Sequence, residues 1–201
     1  MMDGFSRKQR PRHVLGQDNR LLYSGSRVVM EMASEKVDAM SDDATTLLMM
    51  FAREWHTYQT ALSAALKPLA PEQLAVRAAP DLRSIDELAR HIIGARAGWF
   101  SWVLDAGDAD FKAYERWHRP GTPKTASELV AGLDATWQVM QQTIARYSLA
   151  NLQEEITRER GGQTRIFTRG WVIWHVMEHD LHHGGEIAYS LGMHGLQAPD
   201  I

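Results

Sequence analysis

Trp171-Val-Ile-Trp-His175-Val-Met-Glu178-His179-Asp-Leu-His182-His183-Gly-Gly-Glu186-Ile187 is an apolar helical stretch that carries four histidines in nine residues. Side chains four apart leave a helix from one face, one turn apart, so His179 and His183 point the same way. Two imidazoles so placed can bind one metal ion. Val176 and Ile187 flank them on that ridge, which makes the face an interior one. Polar rings among aliphatic groups are costly to bury unless something satisfies them. A metal does so; a hydrogen bond from each ring to another side chain is the alternative.

Working outward, the rest of the chain from Asp42 also reads as helix. Thr168 is the N-cap expected for the histidine helix and Gly192 its stop, giving 168–191. Leu47, Phe51, Trp55, Tyr58, Leu62 and Leu66 recur every three or four residues and predict a helix over 44–67, ended by Pro68 and Pro71. Ser84-Ile-Asp-Glu87 and Thr125-Ala-Ser-Glu128 are capping boxes. They open helices expected over 84–106, with Gly107 as the stop, and 125–148. Pro120-Gly-Thr-Pro123 lies in a long connection over 108–124. Gly161-Gly162 breaks the chain before the last helix, and the only strand candidates are short and lie near 154–167. The expected fold is all-α: a four-helix bundle with one long crossover connection.

Composition narrows the function. Net charge is −3, which argues against a general nucleic-acid binder. No apolar run reaches the roughly 18 residues of a membrane span. The chain has no cysteine, so thiolate metal sites, disulfides and a cysteine nucleophile are excluded; a cytoplasmic location is expected. Any thiol chemistry needs a thiol from a small molecule. Residues 1–39 differ from the rest: Arg7-Lys-Gln-Arg-Pro-Arg12 is basic and Pro-broken, and no sustained period follows. They are expected to form a mobile tail or short docking arm, with the bundle domain over 40–201 and Met30 or Met40 as alternative initiators. The tail holds seven Lys/Arg against five Asp/Glu, which leaves −5 on the remainder.

A third ligand is available in His91, on the helix that Ser84 opens. It lies about 60° from the Leu88 line at ~100° per residue, at the edge of the apolar stripe. Alone it reads as a core-edge histidine. Bundles build metal sites from side chains on facing helices, so beside an i,i+4 pair it reads as a ligand. Three histidines without cysteine compose an open site with a position left for water or substrate.

These residues carry a resemblance to the DinB-like superfamily, YfiT type included. It rests on the Leu88-Ala-Arg-His91-Ile-Ile-Gly-Ala95 helix and the His175-Val-Met-Glu-His179-Asp-Leu-His-His183-Gly-Gly-Glu186-Ile187 signature, and covers about residues 43–197. The resemblance implies a four-helix bundle in which His91, His179 and His183 hold a divalent metal, zinc or nickel. It further implies a homodimer, with which the seven tryptophans agree, and a metal-dependent transferase that joins a low-molecular-weight thiol to an electrophilic small molecule. A metal-dependent hydrolase, or a non-enzymatic metal- or small-ligand-binding stress protein, are the alternatives. The chain departs from a common pattern by having Gly184-Gly185-Glu186 where Arg-Gly-Gln often follows the last histidine; a contact made there by the arginine or amide does not carry over.

The remaining candidates have separate readings. His175 orients a ligand, lines the pocket, or is simply packed. Trp174 is a possible pocket residue, and Trp99, Trp102, Trp137 and Trp171 read as core, with one or two walling the site. His182 points about 100° away from His183 and does not share its metal. His56 and His118 read first as surface or interface residues, with a place at a pocket as the alternative. Glu186 reads first as acceptor for an imidazole N–H, then as a general base or a partner for an arginine.

Overall fold

A computed structural model describes residues 47–200; the expected tail over 1–39 and the first turn of the first helix lie outside the described residues. The elements in chain order are α1 (47–66), α2 (Pro71–Leu74), α3 (Ile85–Leu104), α4 (Ala109–Ala113), a 3-10 turn (Tyr114–His118), α5 (Ala126–Ile144), α6 (Leu149–Gln153), β1 (Glu155–Arg160), β2 (Gln163–Thr168) and α7 (Arg169–Met193). The protein is mostly helical, with one two-stranded sheet among the described residues.

The long helices start where their caps require. Ser84 and Thr125 each accept from the amide three residues on, and Glu87 and Glu128 reach back to the cap amides. Thr168 accepts from the Trp171 amide and opens α7. The ends differ from expectation. α3 stops at Leu104 because Asp105 turns left-handed (φ 53°), two residues before Gly107. α5 stops at Ile144, and Ser148 then caps the separate short α6. α7 runs through Gly192 to Met193, where the amides of His194 and Gly195 fold back on Leu191 and Gly192.

Cross-helix pairings give the directions. Lys124, just before α5, donates its amide to Asp86 near the start of α3, and Arg96 further along α3 donates to the Leu133 carbonyl of α5. The two helices therefore run parallel, and the connection between them must return along the bundle. It does so through α4, the 3-10 turn and the Pro-rich loop. On α7 the order is reversed: His91 meets His183, and Trp99 meets His175. The core is built by the stripe residues Leu62, Leu66, Ile85, Ile92, Leu133, Ile187 and Leu191, all 0 % exposed.

At the centre of the bundle lies a buried ion pair. The Arg96 Nη2 and Nε atoms lie 2.7 and 2.8 Å from Asp180 Oδ2, and both side chains are fully buried. Trp55 Nε1 donates to the same oxygen (2.8 Å), and Gln59 Oε1 accepts from Arg96 Nη1 (2.8 Å). Gln59 Nε2 continues the chain to Asp134 (3.1 Å). One network thus ties α1, α3, α5 and α7. Burial pushes the Asp180 carboxyl above the ordinary carboxylate range, and the Arg96 charge opposes that shift.

The region near 154–167 folds as an antiparallel hairpin in which Glu155 pairs with Thr168 and Arg160 with Gln163. Its two-residue loop is Gly161-Gly162, with φ of 59° and 74°; two successive positive φ values are what a tight hairpin loop with the native twist demands, and glycine adopts them without strain. Arg158 anchors β1 by donating to the Trp102 and Val103 carbonyls at the end of α3 (both 2.7 Å).

Candidate metal centre

α3 and α7 bring His91, His179 and His183 together. One nitrogen from each lies within 4.8 Å of the other two. His91 Nε2 and His179 Nε2 are 3.0 Å apart, and ring centroids are separated by 4.4 to 4.7 Å. Two metal–nitrogen bonds of about 2.0–2.1 Å bridge at most about 4.2 Å, so small ring rotations suffice to place all three on one ion. The donor set is chemically consistent: three imidazoles suit zinc, nickel and related ions.

Each ring is held differently. His183 is buried and shares its Nδ1 proton with Glu186 Oε2 at 2.7 Å, which leaves its Nε2 lone pair for the cluster. Glu186 is thus placed on an imidazole N–H. His179 Nδ1 is buried with no partner among the described residues, and its Nε2 faces His91 Nε2. Burial, with the neighbouring histidines, pushes the His179 imidazole down to about 3. Burial, with Arg83 and the neighbouring histidines, takes His91 to about 4. Both are therefore neutral, ligand-competent rings at neutral pH.

Those shifts set a pH dependence. Unfolded, both imidazoles take up protons near 6.5, and folded, His91 does not until about pH 4 nor His179 until about pH 3. Their contribution to stability is therefore complete above pH 6.5 and is lost as pH falls through that window. Chelator-treated protein should show a melting temperature that is flat with respect to these groups from pH 8 to 7 and falls below 6.5. Replacing both with Gln should flatten that limb in thermal melts; an unchanged slope would contradict the assignment.

A cavity of about 440 Å3 opens beside the cluster, walled by His91, His179, Trp99, Trp102, His118 and Arg160 among others. Gly94 makes one wall possible. A Cβ there would lie 2.6 Å from the His118 backbone nitrogen, so only glycine lets the 3-10 turn close on α3 and bring His118 to the cavity. The sequence reading put His118 first at the surface or an interface, with a pocket as the alternative that the structure shows, and did not single out Arg160. Both reach the cavity through tertiary packing, which no local spacing encodes.

The other candidates spread out. His175 stacks on Trp171 (4.9 Å, 10°) and meets Trp99 edge-on, its ring 6.3 Å from that of His179. It belongs to an aromatic cluster with Phe167 beside the site. Trp174 is 57 % exposed and lines a different groove, between α1 and α7, with Phe51 and Met177. Trp171 is also exposed, and Trp137 is core. His56 stacks on Trp137 away from the cluster. The exposed His182 meets His183 and Glu186 in a second group of potential ligands. That group's His183 nitrogen is already engaged by Glu186, so the more buried trio is the better centre.

The fold and the cluster together define a class: helical-bundle proteins in which two helices present a three-histidine candidate metal site. The profile of the DinB superfamily matches residues 54–187, and the chain belongs to that superfamily. A crystal structure of a DinB-like protein from Bacillus cereus ATCC 10987 at 2.01 Å resolution is similar, with a TM-score of 0.60 at 18% identity, over 75% of this chain and 95% of that one. Likeness at that identity bears on the fold. No curated protein matches the chain. None of the described helices is long and apolar enough to cross a membrane.

Proposed function

We propose that His91, His179 and His183 hold a divalent metal, zinc or nickel, and that the protein is a transferase joining a low-molecular-weight thiol to an electrophilic small molecule. The observation that carries this reading is three imidazoles whose nitrogens lie within 4.8 Å of one another, two of them, His91 and His179, at the wall of an open cavity. When bound, the metal supplies a Lewis acid that stabilises a ligand thiol as thiolate at neutral pH. The chain has no cysteine, so that thiol comes from a small molecule. Glu186 holds the His183 Nδ1 proton and so keeps Nε2 turned inward. Trp99 and Trp102 form an apolar wall that keeps water from one side of the ligand. His118, an imidazole outside the ligand set on the same cavity, can take up the thiol proton.

The test is to purify the protein without chelator, measure its metal, and follow thiol consumption with a panel of thiols and electrophiles. Turnover should vanish with chelator and return on adding zinc or nickel. Metal-dependent ester cleavage without thiol consumption would favour the hydrolase reading. Metal loss that unfolds the protein, with no turnover of any kind, would favour a structural site.

A further inference from the structure

The lining of the cavity follows α3 from His91 to Trp102, and its two ends differ. His91 lies toward the start of α3 and Trp102 near its end, eleven residues on, about 16 Å along the axis at 1.5 Å per residue. Between them α3 lines the cavity with Gly94, Ala95, Gly98 and Trp99. At the far end stands Arg160, last residue of β1, its guanidinium 4.9 Å from the centroid of the Trp102 ring. The two arginines of this strand that meet α3 are employed differently. Arg158 is engaged by the Trp102 and Val103 carbonyls and the Asp105 carboxylate. Arg160 has no carboxylate partner among the described residues, and its side chain is set on an aromatic face, where stacking holds the planar fork in place.

Charge points the same way. Outside the histidines, the charged lining residues are Glu115, with one negative charge, and Arg160, with one positive. A divalent ion on the histidines makes the cavity cationic at one end, and Arg160 makes it cationic at the other. A molecule that fills it is best matched by a metal-binding head, an apolar middle that passes Trp99, and an anionic tail.

We infer that the site takes ligands of this class, and that Arg160 is the specificity-determining residue that pairs a carboxylate at the end remote from the metal. The inference rests on the metal reading above, but not on the head group being a thiol.

The experiment uses the full chain loaded with cobalt(II), whose visible and near-ultraviolet absorption changes when a ligand binds the metal. Two pairs of probes differ only in the tail: 8-mercaptooctanoate against 8-mercapto-1-octanol, and suberic monohydroxamate against octanohydroxamate. A short anion, 3-mercaptopropionate, is the length control. In the unmodified protein the long carboxylates should bind about 10-fold more tightly than their neutral partners, the order expected of a charge-assisted pair. Arg160→Gln should erase that ratio while leaving neutral probes and 3-mercaptopropionate within twofold, and Arg160→Lys should restore part of it. Melting temperatures should be the same in all three proteins, which a merely structural stacking role for Arg160 would not give. Contrast with the hydroxamates alone upholds Arg160 and rejects the thiol. Binding of all probes with an undiminished carboxylate ratio in Arg160→Gln overturns the inference and leaves the metal site standing. A protein that takes up no cobalt overturns both.

Discussion

Asp180→Ala is expected to destabilise the protein by about 3–5 kcal/mol, the range found when one member of a buried ion pair is removed. The substitution leaves the Arg96 guanidinium, 0 % exposed, without its counter-charge. It also removes the acceptor of the Trp55 indole N–H. Two helices, α1 and α3, lose their shared partner on α7 at once. Arg96→Ala should be comparably harmful, because it strands the carboxylate and the Gln59 carbonyl oxygen. The double change Arg96→Met with Asp180→Leu should recover most of the loss, since an apolar pair of similar volume avoids the desolvation of two charges. Urea unfolding of the three variants checks this. If the single substitutions cost less than about 1 kcal/mol, in the range of an exposed pair, the network does not hold the bundle as described.

The second large effect falls on the metal. His179→Ala should reduce metal affinity by more than about 100-fold, because even residues that only orient a ligand are worth 10–100-fold. His91→Ala and His183→Ala should do the same, and Glu186→Gln should fall in the 10–100-fold range. His182→Ala should change nothing, its ring lying off the cluster at the surface. Far-ultraviolet circular dichroism should be retained in every one of these variants, because the apolar stripes and not the histidines fill the interior. Metal titration in a competing chelator reads the affinities. Equal stoichiometry in the triple variant and the unmodified chain would sink the assignment.

Much of the fold was legible because it is locally encoded. Ser84, Thr125 and Thr168 satisfy amide groups within three residues of themselves, and such caps are visible as spacing alone. The stripe of Leu62, Leu66 and their neighbours reads the same way. Helix ends were less legible, since Asp105 takes up a left-handed conformation that many sequences leave to glycine. The hairpin was placed only as a candidate because charged β1 lacks the alternation of a half-buried strand. For the site, His179 and His183 are an i,i+4 pair on one helix, while His91 needed both the bundle argument and the family resemblance. The Arg96–Asp180 pair was missed although a signal existed. Each is a charge set on an otherwise apolar stripe, one on α3 and one on α7, and opposite charges in such positions satisfy each other most cheaply. His118 and Arg160 carry no such signal.

His91 and His179 are separated by 88 positions in the chain, and this spacing orders events during synthesis. α3 leaves the ribosome long before α7 exists, so the nascent chain exposes a single imidazole of the trio and cannot chelate. The i,i+4 pair arrives with the final long helix, and the parallel return between α3 and α5 must already be made for it to dock. On the proposed metal reading, the complete ligand set exists only once α7 has been made.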